Sequence, residues 1–128
     1  MRDNLQSAHT ACAPEATKTT VGVDLGDRWS RYCVVNRNGA VIEEDRVRTS
    51  AAALEQRFRQ MPPTRIVLEA GTHSPWVSRL LESQGHEVIV ANARKVRLIY
   101  ESDRKNARLD ARMLARLGRV SAFARAPP

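Results

Sequence analysis

From Thr19 the polar lead-in gives way to runs of β-like character, and strand and helix patterns then take turns along the chain. Three β-like runs come first: Thr20-Val-Gly-Val-Asp-Leu-Gly26, Arg31-Tyr-Cys-Val-Val35 and Ala40-Val-Ile-Glu-Glu-Asp-Arg-Val-Arg48. Asn36-Arg-Asn-Gly39 joins the last two, and Asn38-Gly39 signals a hairpin because both residues tolerate positive φ. The pattern predicts a three-stranded antiparallel meander. Thr49-Ser50 then caps a helix from Ala51 to about Gln60, with Leu54 and Phe58 on its buried face and Pro62-Pro63 ending it. Arg65-Ile-Val-Leu-Glu69 is a short apolar strand ending in an acid. A second helix follows from about Pro75 to Ser83, with Trp76, Leu80 and Leu81 inward and Thr72 and Ser74 as capping candidates. Gly85 stops it, and His86 to Ala91 reads as a fifth strand. Strands alternating with helices after a meander imply parallel β-α-β crossovers, hence an α/β fold with a mixed five-stranded sheet and flanking helices.

The segment from Asn92 to Val120 reads as one helix. At about 100° per residue, with Leu109 set to zero, Val120, Met113, Leu117 and Leu114 fall within about 140° and form an apolar face. Lys105, Arg108, Arg112, Arg116 and Arg119 share a basic stripe about 80° wide on the opposite side. Asp110 falls inside the apolar face, where an ionised carboxylate is costly unless it is paired or bound to a metal.

Charge sharpens this picture. Residues 91–128 carry ten Lys and Arg against three Asp and Glu, a surplus equal to the whole chain's formal +7, so the first 90 residues are neutral. Such asymmetry favours a polyanionic partner. A length of 128 residues fits one domain, here residues 19–120 between a polar lead-in (1–18) and a short tail (121–128). No run approaches the ~20 apolar residues of a membrane span and the N-terminus has no apolar signal core, so a cytoplasmic protein is expected, with no membrane partner. Cys12 and Cys33 stand in unlike settings without a metal-binding spacing and are expected to be reduced thiols.

Three carboxylates occupy positions that stability alone would not select. Asp24 interrupts an apolar strand between Gly22 and Gly26, Glu69 closes another strand, and Asp110 lies on the inward side of the basic helix. Ligands of open α/β sheets collect at the carboxyl ends of strands. Converging carboxylates supply the hard oxygen ligands that Mg2+ or Mn2+ requires, and two such ions about 4 Å apart activate a water or hydroxyl against a phosphodiester. His73 could touch a phosphate or a metal, but a lone loop histidine is more often solvated. Trp29 and Trp76 are expected to pack rather than stack on bases, and Ser74 lacks the partners of a nucleophile.

Val21-Gly-Val-Asp-Leu-Gly26, Val67-Leu-Glu-Ala-Gly-Thr72, His86-Glu-Val-Ile-Val-Ala-Asn-Ala-Arg-Lys-Val-Arg97 and Lys105-Asn-Ala-Arg-Leu-Asp-Ala111 occur in this order. Together they resemble the N-terminal RuvC-like domain of the DEDD transposases of the insertion sequence 110 family. The resemblance implies an RNase H-like fold, divalent metal and DNA transposition or recombination, with Asp24, Glu69 and Asp110 as catalytic and metal-binding acids. It also implies DNA as partner, a structured guide RNA, and either self-association or docking to a full-length transposase. The family's helix motif has an acid where this chain has Ala107, with Asp103 one possible substitute, so impaired catalysis is expected. Family members continue into a helical region and a Ser-bearing domain not found in these 128 residues, so the sequence reads as a truncated transposase. Two other classes compete: a non-enzymatic remnant that binds nucleic acid or transposase through the basic stripe, and an actin-like nucleotide-binding domain, whose first phosphate loop Asp24-Leu-Gly26 resembles.

Overall fold

A computed structural model of the chain describes residues 18–92 and 110–120. Within them β1 (Thr20–Asp24), β2 (Trp29–Val35), β3 (Val41–Arg48), β4 (Arg65–Glu69) and β5 (Glu87–Ala91) form one sheet in the order β3-β2-β1-β4-β5. The β1-β2 and β2-β3 pairs are antiparallel, and β1-β4 and β4-β5 are parallel. The helices are α1 (Ala51–Arg59), α2 (Ser74–Ser83) and α3 (Ala111–Arg119). This is the expected α/β fold: a meander extended by two crossovers, the first through α1 and the second through α2. The expected lead-in through residue 17 and the tail at 121–128 lie outside the described residues, as do Cys12, Asp103, Lys105, Ala107 and Arg108.

Because side chains alternate across a strand, each central strand feeds two cores. Val21, Val23, Tyr32, Val34, Ile66 and Leu68 point to one face and meet Leu54 and Phe58 of α1 and Val77 and Leu81 of α2. Fully burying one such side chain is worth about 1.5–3 kcal/mol. On the other face Val67 and Ala91 pack against Leu114 and Leu117, and Cys33 and Val35 against Ala111 and Ala115. Cys33 is buried and free.

Local chemistry sets the boundaries. The Asn36 carboxamide accepts from the backbone N–H groups of Asn38 and Ala40, and Gly39 takes φ +85°, closing the hairpin. Ser50 caps α1 by accepting from the Ala53 N–H. Buried His86 accepts from the Thr64 N–H at its Nδ1 (3.1 Å), while its Nε2 lies 2.8 Å from the Phe58 carbonyl, tying the end of α1 to the strand entries.

Two helical expectations are corrected. His73, not Thr72 or Ser74, occupies the N-cap of α2, with no side-chain capping bond. The Ser74 hydroxyl turns back to the Gly71 carbonyl instead. Val77 and Leu81 form the buried line of α2, with Trp76 and Leu80 half-buried beside it. The second correction concerns the expected helix over 92–120. Asn92 is not helical, and Asp110 has extended backbone (φ −82°, ψ 172°), so α3 begins at Ala111.

The face of α3 is also rotated from the one expected. Ala111, Leu114, Ala115, Leu117 and Gly118 are buried, whereas Met113 and Val120 are more than two-fifths exposed. Close approach explains the choice. A Cβ on Gly22 would run into the backbone of Ala111 and Ala115, and one on Gly118 would strike Val67 and Thr20. The helix therefore lies on β1 with its smallest residues inward, a distinction invisible to a reading that seeks large apolar side chains.

Candidate functional site

Ala111 and Ala115 sit over Gly22, and Gly118 over Thr20, so α3 runs antiparallel to β1 and its N-terminus stands at the carboxyl end of the strand. That end carries the acids. Val23 pairs with Leu68 in the parallel β1-β4 ladder, which leaves Asp24 and Glu69 as the next residues on neighbouring strands. Val23 and Leu68 point into the α1–α2 core, so the pleat turns Asp24 and Glu69 to the α3 side of the sheet. Asp110, at the head of α3, belongs to the same edge.

Gathering at one edge is not yet a shared site. Asp24 and Asp110 open onto a cavity of about 550 Å³ together with Arg31, Glu44, Arg46 and Arg112. Glu69 opens onto a second one, of about 290 Å³, with Gly26, Asp27 and His73. Among the described residues no three histidine, cysteine or carboxylate side chains are placed to hold a metal ion. Asp110 is exposed rather than inward, and its Oδ1 accepts from the Met113 N–H at 2.8 Å as the helix N-cap. The carboxylate that looked costly on an apolar face is instead at a position where Asp is favoured, next to the positive end of a helix dipole. The donor set as it stands does not fit one metal shared by Asp24, Glu69 and Asp110.

The basic stripe has a structural occupation. The Arg112 guanidinium makes a two-pronged ion pair with Glu44 on β3, at 2.6 and 2.8 Å. Arg116 donates to the Gly39 carbonyl (3.3 Å) and Arg119 to that of Arg37 (3.1 Å), so three consecutive cations of α3 follow the β2-β3 hairpin. Hydrogen bonds from Arg112 hold the Glu44 carboxyl below the usual carboxylate range. Burial, and then the nearby Glu44 charge, push the Cys33 thiol up. Arg116 and Arg119 meet carbonyl oxygens rather than a carboxylate. Arg112 is locally compensated.

His73 is more constrained than a solvated loop residue. Its Nδ1 accepts from the Trp76 indole N–H (3.0 Å), which leaves Nε2 to face Asp27 at 3.1 Å. This chain of three braces the loop beside Glu69.

Sequence reasoning assigned Trp29 to packing and passed over Arg31, Arg46 and Arg48. The strand was expected to start at Arg31, but the β2-β3 ladder continues through Ser30 and Trp29, opposite Val47 and Arg48, beside a part-buried bond between the hydroxyls of Ser30 and Thr49 (2.7 Å). Trp29 does not pack inward: it is 41% exposed, with the guanidinium of Arg46 4.1 Å and that of Arg48 5.2 Å from its ring centre. The alternation Trp29, Arg31, Cys33 was the available signal, since buried Cys33 fixes the face the other two share.

No helix among the described residues is long and apolar enough to cross a membrane. Compared with known families, the chain matches the DEDD transposases of the insertion sequence 110 type over residues 21–127, well over half its length. No individual curated protein matches it.

Proposed function

Because the chain belongs to the insertion sequence 110 family of DEDD transposases, we propose that it is a DNA-engaging transposase domain whose acids are Asp24, Glu69 and Asp110 and whose catalysis is impaired by Ala107. The family uses divalent metal in general. One observation carries the reading: the carboxyl ends of β1 and β4 and the N-terminus of α3 bring the three family acids to one edge of the sheet. The division of those acids between two cavities, and the use of Asp110 as a cap, support weak metal binding. DNA is the expected partner, engaged in the cytoplasm. Structured RNA and another transposase copy are further partners consistent with the family.

The same observations favour a second reading in which the domain binds nucleic acid without cutting it. Calorimetric titration of Mn2+ separates the two. Weak binding by the chain, tightened about tenfold or more in Ala107→Asp, supports an acid site that lacks one ligand; that factor is the lower end of what losing a supporting group costs metal sites. Equal affinity in both proteins, or none in either, leaves the binding-only reading.

A further inference from the structure

α3 covers only part of its side of the sheet. Cys33 and Val35 lie beneath Ala111 and Ala115, but Trp29 and Arg31, which alternate onto the same face of β2, extend past the head of the helix. β3 continues that face. Glu44 stands opposite Cys33 and reaches Arg112, Arg46 stands opposite Arg31, and Arg48 opposite Trp29. The register thus sets a row Arg46, Arg31, Asp24 across β3, β2 and β1, with Trp29 and Arg48 forming the next row outward.

Arg31, Arg46 and Arg48 are exposed, and none forms an ion pair among the described residues. They differ in this from Arg112, which is spent on Glu44. By composition, residues 93–109 add six Lys and Arg against two acids. An exposed indole with the guanidiniums of Arg46 and Arg48 against its ring and Arg31 beside them, none ion-paired among the described residues, calls for a ligand with both an aromatic face and negative charge. Duplex DNA offers charge but keeps its base faces stacked, while a single strand presents both.

We infer that the uncovered face of β2 and β3 binds single-stranded nucleic acid, stacking a base on Trp29 and holding phosphates with Arg31, Arg46 and Arg48. This rests on the reading of the domain as one that engages DNA, and it adds where and in what form. A strand on Trp29 meets the Arg31–Arg46 row next, and both arginines line the cavity that Asp24 and Asp110 share. The face is therefore a track leading to two of the three acids.

The full chain, titrated with a twelve-nucleotide oligothymidine, provides the test, using tryptophan emission and fluorescence anisotropy. Trp29 and Trp76 are the two tryptophans. Binding should quench the emission, and in Trp29→Phe the remaining Trp76 signal should stay unchanged. Trp29→Ala should weaken binding by about fivefold to a hundredfold, and Trp29→Phe by much less, as expected for loss and retention of a stacking surface. Arg46→Gln combined with Arg48→Gln should lower the slope of log affinity on log salt by roughly 1.4, since each phosphate contact to a single strand contributes about 0.7. Circular dichroism checks that these surface variants remain folded. Oligothymidine binding that is unaltered in all variants overturns this inference while leaving the DNA-engaging reading intact. Equal affinity for polyglutamate of matching charge overturns it in favour of an acidic protein partner, and absence of nucleic-acid binding overturns both readings.

Discussion

Gly22 shows how one residue fixes the approach of a whole helix. A methyl there meets the backbone of Ala111 and Ala115, and backbone cannot swing aside as a side chain can. Gly22→Ala should therefore destabilise the domain by about 3 kcal/mol or more in urea unfolding. Gly71→Ala is the control, because the nearest atom to its added methyl is the Glu69 carbonyl at an ordinary 3.9 Å; it should cost less than about 1 kcal/mol. His86 is a second point of leverage. His86→Ala removes the acceptor of the Thr64 N–H and the ring partner of the Phe58 carbonyl, one of them within the buried core. A loss of about 2–3 kcal/mol is expected, since each buried group left unsatisfied costs about 1–3 kcal/mol. Nothing in the spacing of residues advertised this role. A lone histidine before a strand gains its meaning only when a carbonyl from α1 and an amide from Thr64 converge on it.

At the scale of elements, what the sequence disclosed depended on whether periodicity or proximity decided the outcome. The strands Arg65–Glu69 and Val41–Arg48 and the helix Ala51–Arg59 follow from local pattern and punctuation, and they stand within a residue of expectation. The head of α3 does not. Read as one uninterrupted helix, the segment put Asp110 among apolar residues, but Asp favours an N-cap and the backbone there is extended. The cap gives Asp110 a stability role that can be separated from any role as an acid. Asp110→Asn keeps the oxygen that accepts from Met113 and should change stability little, whereas Asp110→Ala should cost about 1 kcal/mol. If Asp110 also helps hold metal, Asp110→Asn should lose Mn2+ affinity with its thermal unfolding curve almost unmoved. A variant that retains both would confine Asp110 to capping.

For the molecule as a whole, the charge surplus was legible in the composition, but its distribution over usable surface was not. Counting cations along a helix treats Arg112 like Arg116, and only the fold brings Glu44 of β3 onto the first of them. Exposed indole and guanidinium on β2 and β3 escaped the count because they come from segments that are neutral in sum. The Glu44–Arg112 pair therefore masks one cation beside the cavity of Asp24 and Asp110. Its carboxyl is held below the ordinary range by the hydrogen bonds from Arg112, so the pair is intact at neutral pH. The stabilisation linked to that depressed value is present above the usual carboxylate pKa and fades only as pH falls through the lower folded value. Both side chains are more than a third exposed, so solvent and salt screen the pair, and removing it should scarcely alter stability. Its effect belongs to binding. Glu44→Gln keeps the side-chain shape, removes one negative charge and frees Arg112, so nucleic acid passing the cavity gains a phosphate contact. Affinity measured at several salt concentrations should rise most at low salt, with a slope steeper by roughly 0.7–0.9. An unchanged slope at unchanged stability would put the head of α3 outside the path of the nucleic acid and restrict contact to the Trp29 end of the sheet.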